Sequence, residues 1–132
     1  MKKIDIKIET KLPIASNNDQ ISDIIDEALI CFSIRDYLLE IRFVDEDEIA
    51  ILNSKYRNIT TATDILSFPQ IDLPAQRVRF LGSLVISPAV VEKKDESIED
   101  VLKHGLLHLL GYDHETDESK WETEAKKIDC NL

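Results

Sequence analysis

Alternating apolar and charged residues at the start of the chain predict a β-strand. Ile4, Ile6 and Ile8 alternate with charged side chains, the period-2 pattern of a strand that is buried on one face. The run 37–44 is rich in β-branched and aromatic residues and predicts a second strand. Two further short apolar runs also predict strands: 64–69, which ends at Pro69, and 81–87.

Apolar residues at helical spacing predict about five helices. They begin near Gln20, after Asp45, at Ser87-Pro88, at Ser97 (running to Leu110, with Gly111 as the stop) and at Thr116 (running to Ile128). This order of strands and helices indicates an α+β fold, in which helices pack on a mixed sheet of about four strands. The length of 132 residues fits one domain over residues 1–132. The pattern does not predict the strand order in the sheet.

Composition narrows the class of protein. The chain is 43% hydrophobic and 32% charged, an ordinary balance for a globular protein. We expect no membrane partner, because no run of about 18 uncharged apolar residues occurs and the first ten residues lack an apolar signal core. The two cysteines, Cys31 and Cys130, lie far apart and favour free thiols in a reducing cytoplasm, with a single 31–130 bridge as the alternative.

The net charge of −10 argues against a broad basic surface of the kind that binds nucleic acid without specificity. The acidity lies at the two ends of the chain. Residues 51–87 carry four basic side chains against only two acidic ones, at Asp64 and Asp72. An acidic total is therefore compatible with a local phosphate site in the middle of the chain.

All three histidines fall within the segment 104–114. His104 and His108 are four positions apart, which places them on one face of a helix, and the reversal at Gly111 can return His114 to the same point. Three neutral imidazoles leave one position of a tetrahedral zinc ion open, which is typical of catalytic zinc. We predict one Zn²⁺ at the end of this long helix. The alternative is three unrelated histidines, some of them buried in the core.

The histidine spacing is that of the HExxHxxGxxH motif of metzincin proteases, but Gly105 stands where those proteases have a glutamate. That glutamate is the general base, so its absence weakens a peptidase interpretation. A glycine inside a helix costs about 1 kcal/mol relative to alanine. Gly105 therefore indicates a close approach, either of a ligand or of the sheet on which the helix packs.

Three segments together resemble the YbeY family. They are LNSKYR (52–57), TDILSFP (63–69) and HGLLHLLGYDH (104–114), and the resemblance extends from about Leu38 to Glu124. Two departures from the family pattern stand out. Ala62 occupies the position of the proline in the usual PTD sequence, and Ser83 follows Gly82 where an acidic residue is frequent.

The resemblance implies a bacterial metal-dependent endoribonuclease of the cytoplasm. It implies His104, His108 and His114 as the zinc ligands and Arg57 as a functional arginine beside the cleft. It also implies single-stranded RNA as substrate, in maturation of the 3′ end of the small-subunit ribosomal RNA and in ribosome quality control. The ribosome or its proteins are then expected partners, and DNA is not. Without the resemblance, Arg57 is better explained as a surface cation favoured at a helix C-terminus.

Two other function classes remain open on the sequence. A small zinc metallopeptidase would need a carboxylate base, for which Asp113 and Glu115 are the nearest candidates. A non-catalytic ribosome-associated module, in which zinc only locks the helix to the turn, would need a fourth protein ligand.

Overall fold

The structure of the chain is a computed structural model that describes residues 2–10, 17–69 and 79–111. The described strands are β1 (Lys2–Glu9), β2 (Tyr37–Val44), β3 (Ile65–Pro69) and β4 (Arg79–Ile86). The described helices are α1 (Asn18–Ile30), α2 (Glu46–Arg57), α3 (Pro88–Lys93) and α4 (Ile98–Leu109). None of these helices is long and apolar enough to cross a membrane.

The four strands form one mixed sheet in the order β1-β2-β4-β3. β1 pairs parallel to β2, and β2 pairs parallel to β4. β3 lies at the edge and pairs antiparallel to β4, so that Ile65 is opposite Ile86 and Ser67 is opposite Leu84. The mixed four-stranded sheet agrees with the predicted α+β class.

Alternating side chains divide the core between the two faces of the sheet. Leu84 and Ile86 point to a large cluster that also holds the apolar faces of α1 and α4. Val85, between them, points to a smaller cluster on the opposite face, where Ile49 of α2 packs. The sheet is thus covered by α1 and α4 on one side and by α2 on part of the other, as its strand periodicity requires.

The helices begin close to the predicted positions. Of the three predicted N-cap residues, only Ser97 makes a side-chain cap hydrogen bond. Ser97 caps α4 with its side chain, which accepts a hydrogen bond from the Asp100 N–H at 3.1 Å. Asp45 and Ser87 precede α2 and α3 without making a side-chain cap hydrogen bond. The Asp45 carboxylate accepts from the Thr10 hydroxyl at 2.5 Å instead.

The predictions of five helices and of free cysteines need correction, and part of each concerns residues that the structure does not describe. Residues 2–10, 17–69 and 79–111 contain four helices, not five, and the predicted helix 116–128 lies outside them. Cys31, at the C-cap of α1, is disulfide-bonded, which corrects the preference for free thiols and agrees with the alternative of a bridge. Cys130 lies outside the described residues.

Candidate active-site cleft

Helix α4 places two of the three histidines at one cleft. Its apolar side is buried in the core through residues such as Leu102 and Leu106, which are fully covered. His104 and His108 lie one turn apart on another side, where His104 is exposed and His108 is half-buried. Both line the same cleft. His114 lies outside the described residues.

The cleft has a volume of about 580 Å³ and runs between α4 and the edge strand β3. The end of α2, the loop before β3 and the residue that follows α3 complete its walls. The lining residues are Arg57, Thr63, Asp64, Ile65, Leu66, Ser67, Pro69, Lys94, His104 and His108. Polar and cationic side chains therefore come together here from four separate parts of the chain.

Arg57 reaches the cleft from the C-terminal end of α2. The helix ends because Asn58 takes the left-handed conformation (φ 61°) and donates its N–H back to the last carbonyls, a common helix stop. Arg57 is exposed and lines the cleft with His104 and His108. The structure thus brings the predicted arginine and two of the predicted metal ligands to one place.

Asn53 holds the loop that connects Arg57 to β3. It lies one turn after Ile49 on the inner face of α2 and is only 2% exposed. Its side-chain amide donates to the Thr61 carbonyl at 2.8 Å, while its Oδ1 atom has no hydrogen-bond partner among the described residues. Sequence reasoning noted Asn53 only as part of the LNSKYR segment. A polar residue at a buried helical position was the signal of its structural role.

Asp64 is a fixed carboxylate at the cleft wall. Its Oδ1 accepts from the Ile65 N–H at 2.9 Å and from the Thr63 hydroxyl at 3.2 Å. The Ser87 N–H donates to its carbonyl at 2.9 Å, and Lys94 Nζ lies 3.8 Å from Oδ1. Burial acts to raise the pKa of Asp64, but the hydrogen bond with Glu96 and the charge of Lys94 outweigh it and hold that pKa below its usual value. Asp64 is therefore an anion at neutral pH.

The carboxyl of Glu96 is the hydrogen-bond partner of Asp64. Its hydrogen bond with Asp64, aided by burial, raises the pKa of the Glu96 carboxyl above its usual value. Of the two carboxyls, Glu96 therefore holds the proton first as the pH falls. Sequence reasoning singled out neither Glu96 nor Lys94, because nothing local to the segment 94–96 marks it as part of a cleft.

Gly105 faces the sheet and not a ligand. A Cβ atom at this position would lie 2.6 Å from Cδ1 of Ile65 and 2.8 Å from Cδ2 of Leu84. Those distances are shorter than carbon atoms tolerate, so glycine permits α4 to pack closely on β3 and β4. Of the two explanations that the sequence left open, the structure supports packing on the sheet. It also gives no room at 105 for the glutamate of the metzincin motif.

Ser83, the second departure from the family pattern, pairs with the neighbouring strand β2. Its hydroxyl donates to Oε2 of Glu40 at 3.0 Å, across the β2–β4 pair where the two residues are in register. It is not among the described residues that line the cleft. Serine at this position therefore removes no acidic group from the described cleft wall.

No group of three or more metal-binding side chains occurs within residues 2–10, 17–69 and 79–111. The predicted zinc site needs His114, which those ranges do not include. The described part of the site is the pair His104 and His108. Imidazoles one turn apart on a helix fit two adjacent positions of a zinc ion, so the donors that are described suit the predicted metal.

Comparison with known proteins decides the family. The family model described as Endoribonuclease YbeY matches residues 3–130. The chain belongs to the YbeY family. The YbeY endoribonuclease of Sulfurimonas denitrificans is 41% identical over 107 residues, which are 75% of this chain and 75% of that protein. The YbeY endoribonuclease of Nautilia profundicola is 43% identical over 98 residues, 68% of each chain. The predicted family is thus confirmed.

The fold also resembles a solved structure. A solution structure of a Thermotoga maritima protein superposes with a TM-score of 0.60 at 28% identity, covering 93% of this chain and 85% of that one. The YbeY match spans the LNSKYR, TDILSFP and histidine segments together. Neither the peptidase nor the non-catalytic zinc module is favoured by these relatives.

Proposed function

We propose that the cleft between α4 and β3 is the active site of a metal-dependent endoribonuclease that cleaves single-stranded RNA. One observation carries this proposal. Arg57 lines the same cleft as His104 and His108, although it lies far from them in the sequence. A metal ion held by this helix, beside a cation, could stabilise the charge that develops in phosphodiester cleavage, and the relatives named above are endoribonucleases.

The metal would be held by His104, His108 and His114. The donor chemistry favours a single Zn²⁺, since neutral imidazoles suit zinc and the carboxylates preferred by Mg²⁺ are not part of this set. A bound zinc ion would act as a Lewis acid towards the phosphodiester and lower the pKa of a nearby water molecule. His104 is exposed, so substrate could reach it from solvent, whereas His108 is half-buried.

Arg57 would bind the scissile phosphate. Its guanidinium can donate two parallel hydrogen bonds to the non-bridging oxygens, and these strengthen as negative charge grows in the transition state. Arg57 is the last residue of α2, and the loop that follows it is held to the helix by the hydrogen bond from Asn53 to the Thr61 carbonyl. The Arg57 side chain orients the phosphate and neutralises it, and it transfers no proton.

The substrate would be a local unpaired segment of ribosomal RNA. The cleft is of small-ligand size, which suits a short stretch of single strand better than the width of a duplex. The net charge of −10 leaves little non-specific attraction for RNA, so binding depends on the few cations at the cleft. We place the activity in small-subunit RNA maturation in the cytoplasm, with the ribosome supplying further contacts.

The test is incubation of the purified protein with a labelled single-stranded RNA, with and without a chelator. We expect internal cleavage that the chelator abolishes and added zinc restores. Duplex RNA, single-stranded DNA and a peptide serve as controls and should remain intact. Cleavage of the peptide in place of RNA, or RNA cleavage that is indifferent to the chelator, would contradict the proposal.

A further inference from the structure

Two consecutive lysines at the end of α3 make different contacts. The ammonium of Lys93 binds the carboxylate of Glu46 on α2, at 2.6 and 2.9 Å from its two oxygens. Lys94, the C-cap residue of α3, lines the cleft with Arg57 and the two histidines. One lysine therefore ties two helices together, while the next adds a second cation to the cleft.

The contact between Lys94 and Asp64 is loose. Lys94 Nζ lies 3.8 Å from Asp64 Oδ1, which is an ion pair but exceeds hydrogen-bond distance. The Asp64 oxygen already accepts from the Ile65 N–H and the Thr63 hydroxyl. The Asp64 side chain is 19% exposed and the Lys94 side chain 47%. The Asp64 carboxylate thus attracts the Lys94 ammonium to the cleft without accepting a hydrogen bond from it.

We propose that Lys94 is a second phosphate-binding residue of the cleft, which holds a backbone phosphate of the RNA chain beside the one that Arg57 binds. This inference rests on the proposed endoribonuclease function. A lysine suits the role because its ammonium is a compact charge on a flexible stem, which can follow a phosphate whose position varies with sequence. Asp64 positions Lys94 before RNA binds and does not contact the substrate.

The net charge of the chain favours a role for such a cation in RNA binding. With a net charge of −10, the protein repels RNA at long range, and attraction must come from a few cations placed close to the phosphates. The described cleft lining has two, Arg57 and Lys94, and one carboxylate, Asp64, which is hydrogen-bonded to Glu96 behind it. Replacing Lys94 by a neutral residue would remove half of this local positive charge.

The experiment compares Lys94→Gln with Lys93→Gln in single-strand RNA cleavage by the zinc-loaded, full-length protein. Both variants lose one positive charge at neighbouring positions, but only one of the two side chains lines the cleft. For Lys94→Gln we expect KM to rise about tenfold, as for the loss of one hydrogen bond between charged groups. We also expect the slope of log affinity against log salt to become shallower by about 0.7, the contribution of one phosphate contact in a single strand.

Lys93→Gln should leave both KM and the salt slope unchanged, and Lys94→Arg should restore most of the affinity. The inference is overturned if Lys94→Gln keeps the native KM and salt slope. It is also overturned if Lys93→Gln produces the same change, since the effect would then be one of net charge. If the native protein itself fails to cleave RNA, the proposed function falls together with this inference. An active native enzyme with an unaffected Lys94→Gln variant removes the inference alone.

Discussion

Gly105 of α4 lies so close to Ile65 of β3 that a Cβ atom on residue 105 would stand 2.6 Å from the Ile65 Cδ1 atom. Gly105 thus lies at the contact between the helix that carries His104 and His108 and the strand that forms the opposite wall of the cleft. The missing side chain thus permits the close approach of α4 to β3 beside the proposed active site.

Gly105→Ala should destabilise the protein by about 1 kcal/mol. Alanine gains about 1 kcal/mol of helix propensity, but overpacking against Ile65 and Leu84 costs about 1–3 kcal/mol. Adding Ile65→Val removes the Cδ1 atom that the new Cβ meets, so the double variant should be more stable than the sum of the single changes indicates. Urea unfolding measures all three variants. Strict additivity would show that the contact with Ile65 does not limit the packing.

Asn53→Ala should cost about 1–3 kcal/mol of unfolding free energy, because the Thr61 carbonyl loses its donor and a cavity remains in the core. Asn53→Asp should cost more, since it places a carboxylate at a position that is only 2% exposed. Burial favours the protonated form of that carboxyl, so its penalty should grow as the pH rises from 5 to 8. Urea unfolding at both pH values tests this. An Asn53→Asp variant as stable as the native protein at pH 8 would contradict the assigned role.

Ser83→Asp should destabilise the protein by up to about 1 kcal/mol, because it places a carboxylate directly opposite Glu40 on the neighbouring strand. Adding Glu40→Gln should remove most of that cost. RNA cleavage per folded molecule should remain unchanged in both variants, since Ser83 is not part of the described cleft wall. A large change in cleavage rate would show that residue 83 acts on the substrate after all.

The stability of the fold should decline at alkaline pH through Tyr37. This tyrosine is fully buried, and its hydroxyl lies 3.5 Å from Asp26 Oδ1. Burial, followed by the negative charge of Asp26, raises the pKa of Tyr37 well above its usual value. The folded state therefore keeps a proton that the unfolded state releases above about pH 10, so the unfolding free energy falls by about 1.4 kcal/mol per pH unit there.

Tyr37→Phe should remove this part of the decline. Tyr56→Phe is the matched control, because Tyr56 is 57% exposed. Unfolding free energies from pH 8 to 12 provide the measurement. Equal slopes for the Tyr37→Phe variant and the native protein would mean that Tyr37 titrates alike in the folded and unfolded states.

Local patterns predicted the elements and the family, but not how distant segments meet. The strand at 37–44 was predicted with the bounds of β2, since its side chains alternate between the two faces and its composition favours strands. The histidine spacing likewise predicted that His104 and His108 share one side of α4, because that relationship depends only on helix geometry.

Contacts between segments required the structure. The antiparallel edge position of β3 is what places its residues opposite α4, and no local signal encodes strand order. Lys94 meets Asp64 only because α3 follows β4, which pairs with β3. The sequence left the reason for Gly105 open between a ligand and the sheet, and only the positions of Ile65 and Leu84 decide it.

The central claim is that one cleft both holds the metal through its histidines and cleaves RNA. The most direct measurement is zinc content together with single-strand RNA cleavage for native protein, His108→Ala and Arg57→Ala, each shown to be folded. We predict about one zinc per native chain with cleavage, loss of both in His108→Ala, and retained zinc with cleavage reduced by at least about a hundredfold in Arg57→Ala, as for the loss of a charge-stabilising group. Native zinc content and undiminished cleavage in His108→Ala would contradict the account.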